Sequence, residues 1–321
     1  MTSAMLPVLR DGIDLRVTDV IERAGGIRSI GLAAPGGEEL PGFTAGSHLV
    51  VGCGEKANAY SLTGEGLFPE RYTISVLGQP SGRGGSMFMH RLAIGDTVRA
   101  SRPRSAFVPV ADARLHLLVA GGIGVTPILS HARAAATWGR HAAILYVYAP
   151  GSDAHLDDLE NIARDAGFEL VACEGRAMLS DALAAFLNDR PLGSHLYVCG
   201  PGGFMAHVLD QARGAGWPEE RLHSEAFSAT ELDAGTPFTA RLARSGERVT
   251  VPAGVSLLEA LEGTGRAIPN MCRQGVCGEC VLPVCSGRPL HRDSFLSDDE
   301  RASSIMPCVS RCADAELELD L

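Results

Sequence analysis

Lysine is almost absent: Lys56 is the only one among 28 basic residues. The net charge is −10 and no basic stripe interrupts it, which argues against nucleic acid as a partner. Long apolar runs are also missing. No window approaches the roughly eighteen apolar residues that a membrane span needs. Met1–Arg16 lacks a basic n-region and an apolar core, so no secretory leader is expected, and the expected location is the cytoplasm. The nine cysteines are an odd number, which does not fit a fully paired secreted scaffold. There is no internal repeat and no low-complexity block. No Rieske Cys/His pattern and no triad of two His and a carboxylate is found, so oxygen-activating chemistry is not expected in this chain. With 321 residues the chain is long for one core, and two or three domains are expected.

What is present begins with Pro269–Cys280. This stretch places Cys272, Cys277 and Cys280 at C-x4-C-x2-C spacing, and Cys308 follows in Met-Pro-Cys-Val-Ser-Arg. Two irons need four thiolates: three can come from one tight loop and the fourth from a returning segment. The spacing is that of plant-type [2Fe–2S] ligands. Gly275 and Gly278 let such a loop curl and turn backbone N–H groups toward the sulfurs. Structural zinc also takes four cysteines, but zinc sites pair two short hooks and the second hook is missing here. Cys285 and Cys312 are spare fourth ligands, whereas Cys53 and Cys173 read as small apolar strand residues.

Before this segment, residues 1–110 carry short alternating runs separated by Gly and Pro: Leu15–Ile21, Ile27–Ala34, Ser47–Gly52, Ala59–Leu62, Tyr72–Leu77 and Thr97–Ala100. They predict a small antiparallel β-barrel, with one helix over Met87–Leu92. Tyr60-Ser61 can stack on and hydrogen-bond a flat cofactor, or can be an ordinary half-buried strand pair. Arg83, Gly84, Gly85 and Ser86 lead into the helix. Free N–H groups, a helix amino end and a guanidinium would cradle a phosphate; a plain turn is the alternative.

Residues 111–229 alternate strand and helix, which predicts a doubly wound parallel α/β sheet with its ligand at the carboxyl ends of the strands. Gly121, Gly122, Gly124 and Thr126 form a glycine-rich strand-to-helix turn suited to a dinucleotide pyrophosphate, and Pro127 replaces the last glycine of the full fingerprint. Cys199, Gly200 and Pro201 form a second such turn. The loop Tyr148–Asp153 has no Arg or Lys to meet a 2′-phosphate, so NADH is expected over NADPH, with Asp153 on the ribose. His155 reads as a helix-start residue. Residues 230–321 predict an α+β fold: a hairpin over Phe238–Leu242 and Arg248–Val251, a helix over Leu257–Leu261 capped by Ser256, the cysteine loop, a strand over Val281–Cys285, a helix over Ser297–Ser304 and a final strand over Glu316–Leu321.

Taken in order, these motifs resemble the phthalate dioxygenase reductase family, which includes vanillate demethylase reductases. It is a branch of the ferredoxin–NADP⁺ reductase superfamily with a carboxy-terminal β-grasp ferredoxin. The resemblance covers nearly the whole chain. It implies a flavin held by Tyr60, Ser61 and the phosphate turn, FMN rather than FAD, with Asn58 standing where the family motif has arginine. It implies Cys199 beside the nicotinamide, with Glu225 and Phe227 of Glu-x-Phe facing the flavin. Tyr60, Ser61, Cys199 and Glu225 then form the catalytic set, and Cys272, Cys277, Cys280 and Cys308 the cluster ligands. The implied path is NADH to flavin to [2Fe–2S] to a separate terminal oxygenase, either a Rieske-type oxygenase or demethylase or a cytochrome P450. Arg273 and Gln274 are candidates for contact with that partner. Two other readings are a flavin and [2Fe–2S] subunit of a permanent complex, and a non-catalytic iron–sulfur redox sensor.

Overall fold

Alternation of apolar and polar residues runs through Ile13–Arg23, where Leu15 and Val17 are buried between exposed neighbours. This is β1 of a computed structural model that describes residues 12–54, 56–80, 84–105, 107–175, 178–227, 234–270, 275, 278–293 and 295–321. Contacts divide the chain into one unit that runs to Phe227 and a second from Ser228 to Leu321.

The first unit opens with β1, β2 (Ile27–Ala33), β3 (Ser47–Cys53), β4 (Lys56–Ser61), β5 (Tyr72–Leu77), a short α1 (Gly85–Met89), β6 (Thr97–Ala100) and β7 (Arg104–Ser105). They make one antiparallel sheet of order β4-β3-β6-β1-β2-β5, with β7 on β3. The outer strands of that path meet through one isolated bridge, Leu62↔Ile74, and no continuous ladder closes the sheet among the described residues. Leu15, Ile30, Leu32, Leu49, Leu62, Tyr72, Ile74 and Met89 fill its core.

The second half of this unit alternates strand and helix: β8 (Leu115–Gly121), α2 (Val125–Thr137), β9 (Ala142–Tyr148), α3 (Leu156–Ala166), β10 (Glu169–Glu174), α4 (Leu179–Leu187), β11 (Ser194–Cys199), α5 (Gly202–Gly214) and β12 (Leu222–Glu225). All strands are parallel, in the order β10-β9-β8-β11-β12. Leu117 and Val119 pack toward one helical layer, Leu118 and Ala120 toward the other. Both faces are therefore covered, as an all-parallel sheet requires. The chain leaves β8 toward β9 and β10, then crosses back to β11. The β8/β11 boundary is the switch point where a crevice forms at the carboxyl ends.

The second unit carries β13 (Phe238–Leu242), β14 (Arg248–Val251), α6 (Leu257–Gly263), β15 (Leu282–Ser286), β16 (Pro289–Leu290), α7 (Asp298–Arg301), β17 (Ser304–Ile305), β18 (Arg311–Cys312) and β19 (Glu316–Leu319). Its main sheet has the order β14-β13-β19-β15-β17. Ser256 and Glu259 form a reciprocal capping box that starts α6. The helix expected over Ser297–Ser304 is cut to Asp298–Arg301, because Ser304 and Ile305 are drawn into pairing with Pro283 and Leu282. Among the described residues no helix is long and apolar enough to cross a membrane.

Candidate functional site

Two glycine turns meet at the switch point. Gly122 to Gly124 form a single 3₁₀ turn between β8 and α2, and Cys199-Gly200-Pro201 leads from β11 into α5. They touch backbone to backbone. A β-carbon on Gly124 would overlap the carbonyl of Cys199 and lie 2.6 Å from Gly200 N; one on Gly200 would lie 3.1 Å from the Gly121 Cα. Only glycine permits that approach. Thr126 is buried in the first turn of α2, where its hydroxyl donates to Ile123 O at 3.1 Å. Pro201, exposed, is the N-cap of α5.

Register then places Cys199 beside Glu225, directly opposite on β12. Burial, reinforced by that carboxyl, raises the Cys199 thiol well above its ordinary pKa, so it stays a neutral apolar wall. Burial likewise pushes Glu225 up to about 8, opposed by a hydrogen bond from Ser61. Ser61 ends β4, so Ser61, Cys199 and Glu225 of the expected catalytic set converge here, whereas the Tyr60 hydroxyl meets Asn58 and Cys53. Glu225 Oε2 is buried and has no hydrogen-bond partner among the described residues. An orphaned buried polar atom at the carboxyl end of β12 fits a bound polar ligand. Phe227 is half-buried against the core beneath.

Residues expected to hold the flavin are arranged along β4. Asn58 and Tyr60 lie on one face of the strand, with the Asn58 amide 3.4 Å from the Tyr60 hydroxyl. A β-carbon on Gly85 would overlap the Asn58 amide, so Asn58 lies directly against the start of α1. Gly84 caps that helix with φ +93°, and Ser86 Oγ accepts from Gln79 N at 3.1 Å. Arg83 lies outside the described residues. Asp153 is exposed on the loop after β9.

In the second unit Cys280 and Cys308 are buried. Cys272, Cys277, Arg273 and Gln274 lie outside the described residues, and among those described no three metal-ligating side chains converge. The neighbouring geometry suits a tightly curled cysteine loop. Gly275 has φ +75°, and a β-carbon there would lie 2.6 Å from Val309 Cγ2, next to Cys308. Gly275 and the returning cysteine segment are therefore adjacent. Asp293, fully buried beside Gly275, accepts from Leu296 N and Ser310 Oγ, both at 3.0 Å. The spare cysteines are differently placed. Cys285 is exposed on β15, and the Cys312 thiol is engaged with Arg288 O, Glu316 O and Asp314 N.

A family model described as a 2Fe-2S iron-sulfur cluster binding domain matches residues 240–313. Another, the N-terminal domain of DmmA-like dimethylamine monooxygenase subunits, matches residues 97–222. Phthalate dioxygenase reductase of Burkholderia cepacia is 38% identical over 314 residues, covering 96% of this chain and 97% of its own. The chain belongs to the phthalate dioxygenase reductase family. The heme-dependent oxidative N-demethylase beta subunit of Ectopseudomonas mendocina (strain ymp) is 41% identical over 312 residues, covering 96% of this chain and 99% of its own. Vanillate O-demethylase oxidoreductase of a Pseudomonas sp. (strain HR199 / DSM 7063) is 37% identical over 328 residues, covering 99% of this chain and all of its own. Among solved structures, phthalate dioxygenase reductase superposes with TM-score 0.72 at 36% identity, over 99% of this chain and 100% of that one. An intact type IV self-sufficient cytochrome P450 monooxygenase superposes with TM-score 0.76 at 34% identity, over 97% of this chain but 41% of that one. This reductase is thus a flavin and iron–sulfur oxidoreductase that passes electrons to a terminal oxygenase, with a [2Fe–2S] domain at its carboxyl end.

Sequence reasoning missed His48. It lies opposite Ser61 in the β3–β4 ladder and is buried, and its Nε2 has no partner among the described residues; burial lowers its pKa to about 4. A lone histidine in a strand gives no signal in one sequence.

Because Glu225 keeps its proton to about pH 8, its carboxyl can donate at neutral pH. The folded state binds this proton more tightly than the unfolded chain does. Its contribution to folding is therefore full below about pH 4.5 and is lost as the pH rises to about 8. NADH-driven flavin bleaching is expected to slow about tenfold through an alkaline limb near pH 8, the weight of one buried hydrogen bond. Stopped-flow rates against pH check this. The limb should vanish in Glu225→Gln, and a limb that persists there assigns it to another group.

Proposed function

We propose that this reductase draws hydride from NADH, holds FMN and one [2Fe–2S] cluster, and serves a terminal oxygenase on a separate polypeptide. The observation that carries the reading is the meeting of Ser61, Glu225 and Cys199 at the switch point beside an orphaned carboxyl oxygen. Residues 1–110 would be the flavin domain, with its sheet closed as a barrel around the Leu62↔Ile74 bridge. Residues 111–229 would be the nucleotide domain and residues 230–321 the ferredoxin domain.

Flavin, when bound, supplies the conversion of a two-electron donation into single-electron deliveries, which a [2Fe–2S] cluster requires. The chain supplies alignment. Gly121, Gly122, Gly124, Thr126, Gly200 and Pro201 would hold the dinucleotide at the backbone, with Asp153 on the ribose. Cys199 offers a smooth neutral surface beside the nicotinamide. Glu225 holds a proton at Oε2 and orients a polar group there, while Ser61 fixes the other side of that carboxyl. Tyr60 and Phe227 would flank the flavin ring, and Asn58, Arg83, Gly84, Gly85 and Ser86 its phosphate. No acid–base residue needs to dominate, because hydride transfer depends on alignment and distance. Cys272, Cys277, Cys280 and Cys308 would ligate the cluster.

NADH is favoured because the Tyr148–Asp153 loop offers a carboxylate and no cation. A separate oxygenase, Rieske-type or cytochrome P450, is supported by the relatives of reductase size. The self-sufficient P450 carries its matching segment inside a much longer chain. Flavin released by heat and identified by chromatography tests the reading, together with NADH and NADPH bleaching rates. FMN and a preference for NADH of at least about tenfold are expected. FAD, or equal rates, would overturn the corresponding part.

Asn58→Arg is expected to tighten flavin retention about tenfold by placing a guanidinium against Gly84–Gly85. Equilibrium dialysis of the released flavin measures it. Unchanged retention would mean the phosphate is held elsewhere.

A further inference from the structure

Five side chains from three separate stretches of sequence form a closed ring. Arg23 Nε, at the end of β1, donates to Ser29 Oγ on β2 at 3.0 Å. Ser29 Oγ and Ser75 Oγ of β5 are 2.8 Å apart, and Ser75 Oγ is 2.8 Å from His155 Nε2. His155 Nδ1 is 2.7 Å from Asp158 Oδ2 on α3, and Arg23 NH1 returns to the same oxygen at 3.2 Å. Chemistry fixes the direction. A guanidinium only donates and a carboxylate only accepts. The Nδ1 of a neutral His155 therefore carries the proton, Nε2 accepts from Ser75, Ser75 accepts from Ser29, and Ser29 accepts from Arg23. Each hydroxyl donates once and accepts once. Burial lowers the His155 pKa against the pull of Asp158, which keeps the ring in this neutral form. Arg133 of α2 braces it, with NH2 3.3 Å from Asp158 Oδ1 and NH1 on Thr63 O, two residues beyond Ser61.

A Ser–His–Asp order invites a hydrolytic reading. Ser75 and His155 are only 6% and 4% exposed, so no acyl group reaches the hydroxyl. What the ring does hold is backbone. His155 has φ +66°, a left-handed conformation that side chains other than glycine rarely adopt and that persists only where the surroundings over-determine it. This residue ends the loop after β9. Tyr146 OH donates to Ala154 O at 2.9 Å within the same loop. Ser152 packs into space left by Gly25 in the β1–β2 turn, where a β-carbon would lie 2.9 Å from Ser152 Cβ. The loop carrying Asp153 is thus fixed at two points to the sheet that also carries Ser61.

We infer that the Arg23–Ser29–Ser75–His155–Asp158 ring is a positioning device for the nicotinamide dinucleotide. It sets the Asp153 loop relative to the end of β4, so that a nucleotide anchored at its adenosine end presents its nicotinamide at Cys199 and Glu225. The inference rests on the NADH reading above.

The test is stopped-flow flavin bleaching of the holoprotein over a range of NADH concentrations. Ser75→Ala breaks the ring with little change of volume. His155→Gly breaks it while removing the backbone strain. Both are expected to weaken the apparent NADH dissociation constant about tenfold, with flavin content, iron content and bleaching by dithionite unchanged. Ser75→Thr keeps the hydroxyl and should stay within about twofold of the wild type. A purely structural ring would lower the melting temperature and flavin content but leave the dissociation constant at its wild-type value; that result in both variants overturns the inference. Failure of NADH to bleach the wild type would overturn the donor reading instead.

Discussion

Gly124→Ala should cut NADH-driven flavin bleaching by at least about a hundredfold, the cost of displacing a reacting group by an ångström or so. The methyl group would overlap the Cys199 carbonyl and crowd Gly200 N, both of them backbone atoms that cannot rotate away. The turn before α2 and the turn before α5 must therefore separate. In the proposed reading their contact shapes the nucleotide site at the β8/β11 boundary, so nucleotide alignment would be lost even if binding survives. The second unit shares none of this geometry. Iron, sulfide and the visible cluster spectrum should stay at wild-type levels, and dithionite should still bleach the flavin. Rapid-mixing kinetics with NADH check the rate. A variant that bleaches as the wild type does would show that the two turns do not form the site.

Cys308→Ser should have the opposite signature. NADH still bleaches the flavin, because the nucleotide crevice and Ser61 lie in the first unit. The cluster is lost, and electron delivery to a one-electron acceptor protein falls by more than the about 10- to 100-fold that changes outside a ligand set cost. Cys312→Ser is the control. Its thiol is already occupied by Arg288 O, Glu316 O and Asp314 N, so its loss should leave the iron content intact. Iron loss in Cys312→Ser with retention in Cys308→Ser would reverse the ligand assignment.

Much of this architecture was legible in the sequence for identifiable reasons. The βαβ alternation is a local pattern, and Gly124 and Gly200 have to be glycines because two backbones touch there. The order of the motifs carried the family. Ser256 announced α6 as its N-cap, and the structure adds the reciprocal bond from Glu259. What was not legible is non-local. Nothing near His155 marks it as more than a helix start, since its partner Ser75, itself bonded to Ser29, comes from the first sheet. His48 becomes notable only once β3 pairs with β4. The helix expected through Ser304 failed because pairing with β15 outweighed local propensity over two residues.

The measurement that bears most directly on electron flow through this chain is electron paramagnetic resonance of the anaerobic holoprotein frozen after mixing with NADH. Transfer from NADH through flavin to a four-cysteine [2Fe–2S] centre predicts a reduced-cluster signal in the wild type, none in Cys308→Ser, and bleached flavin in both. A wild-type protein whose flavin bleaches with no cluster signal, or whose cysteines hold zinc, would contradict it.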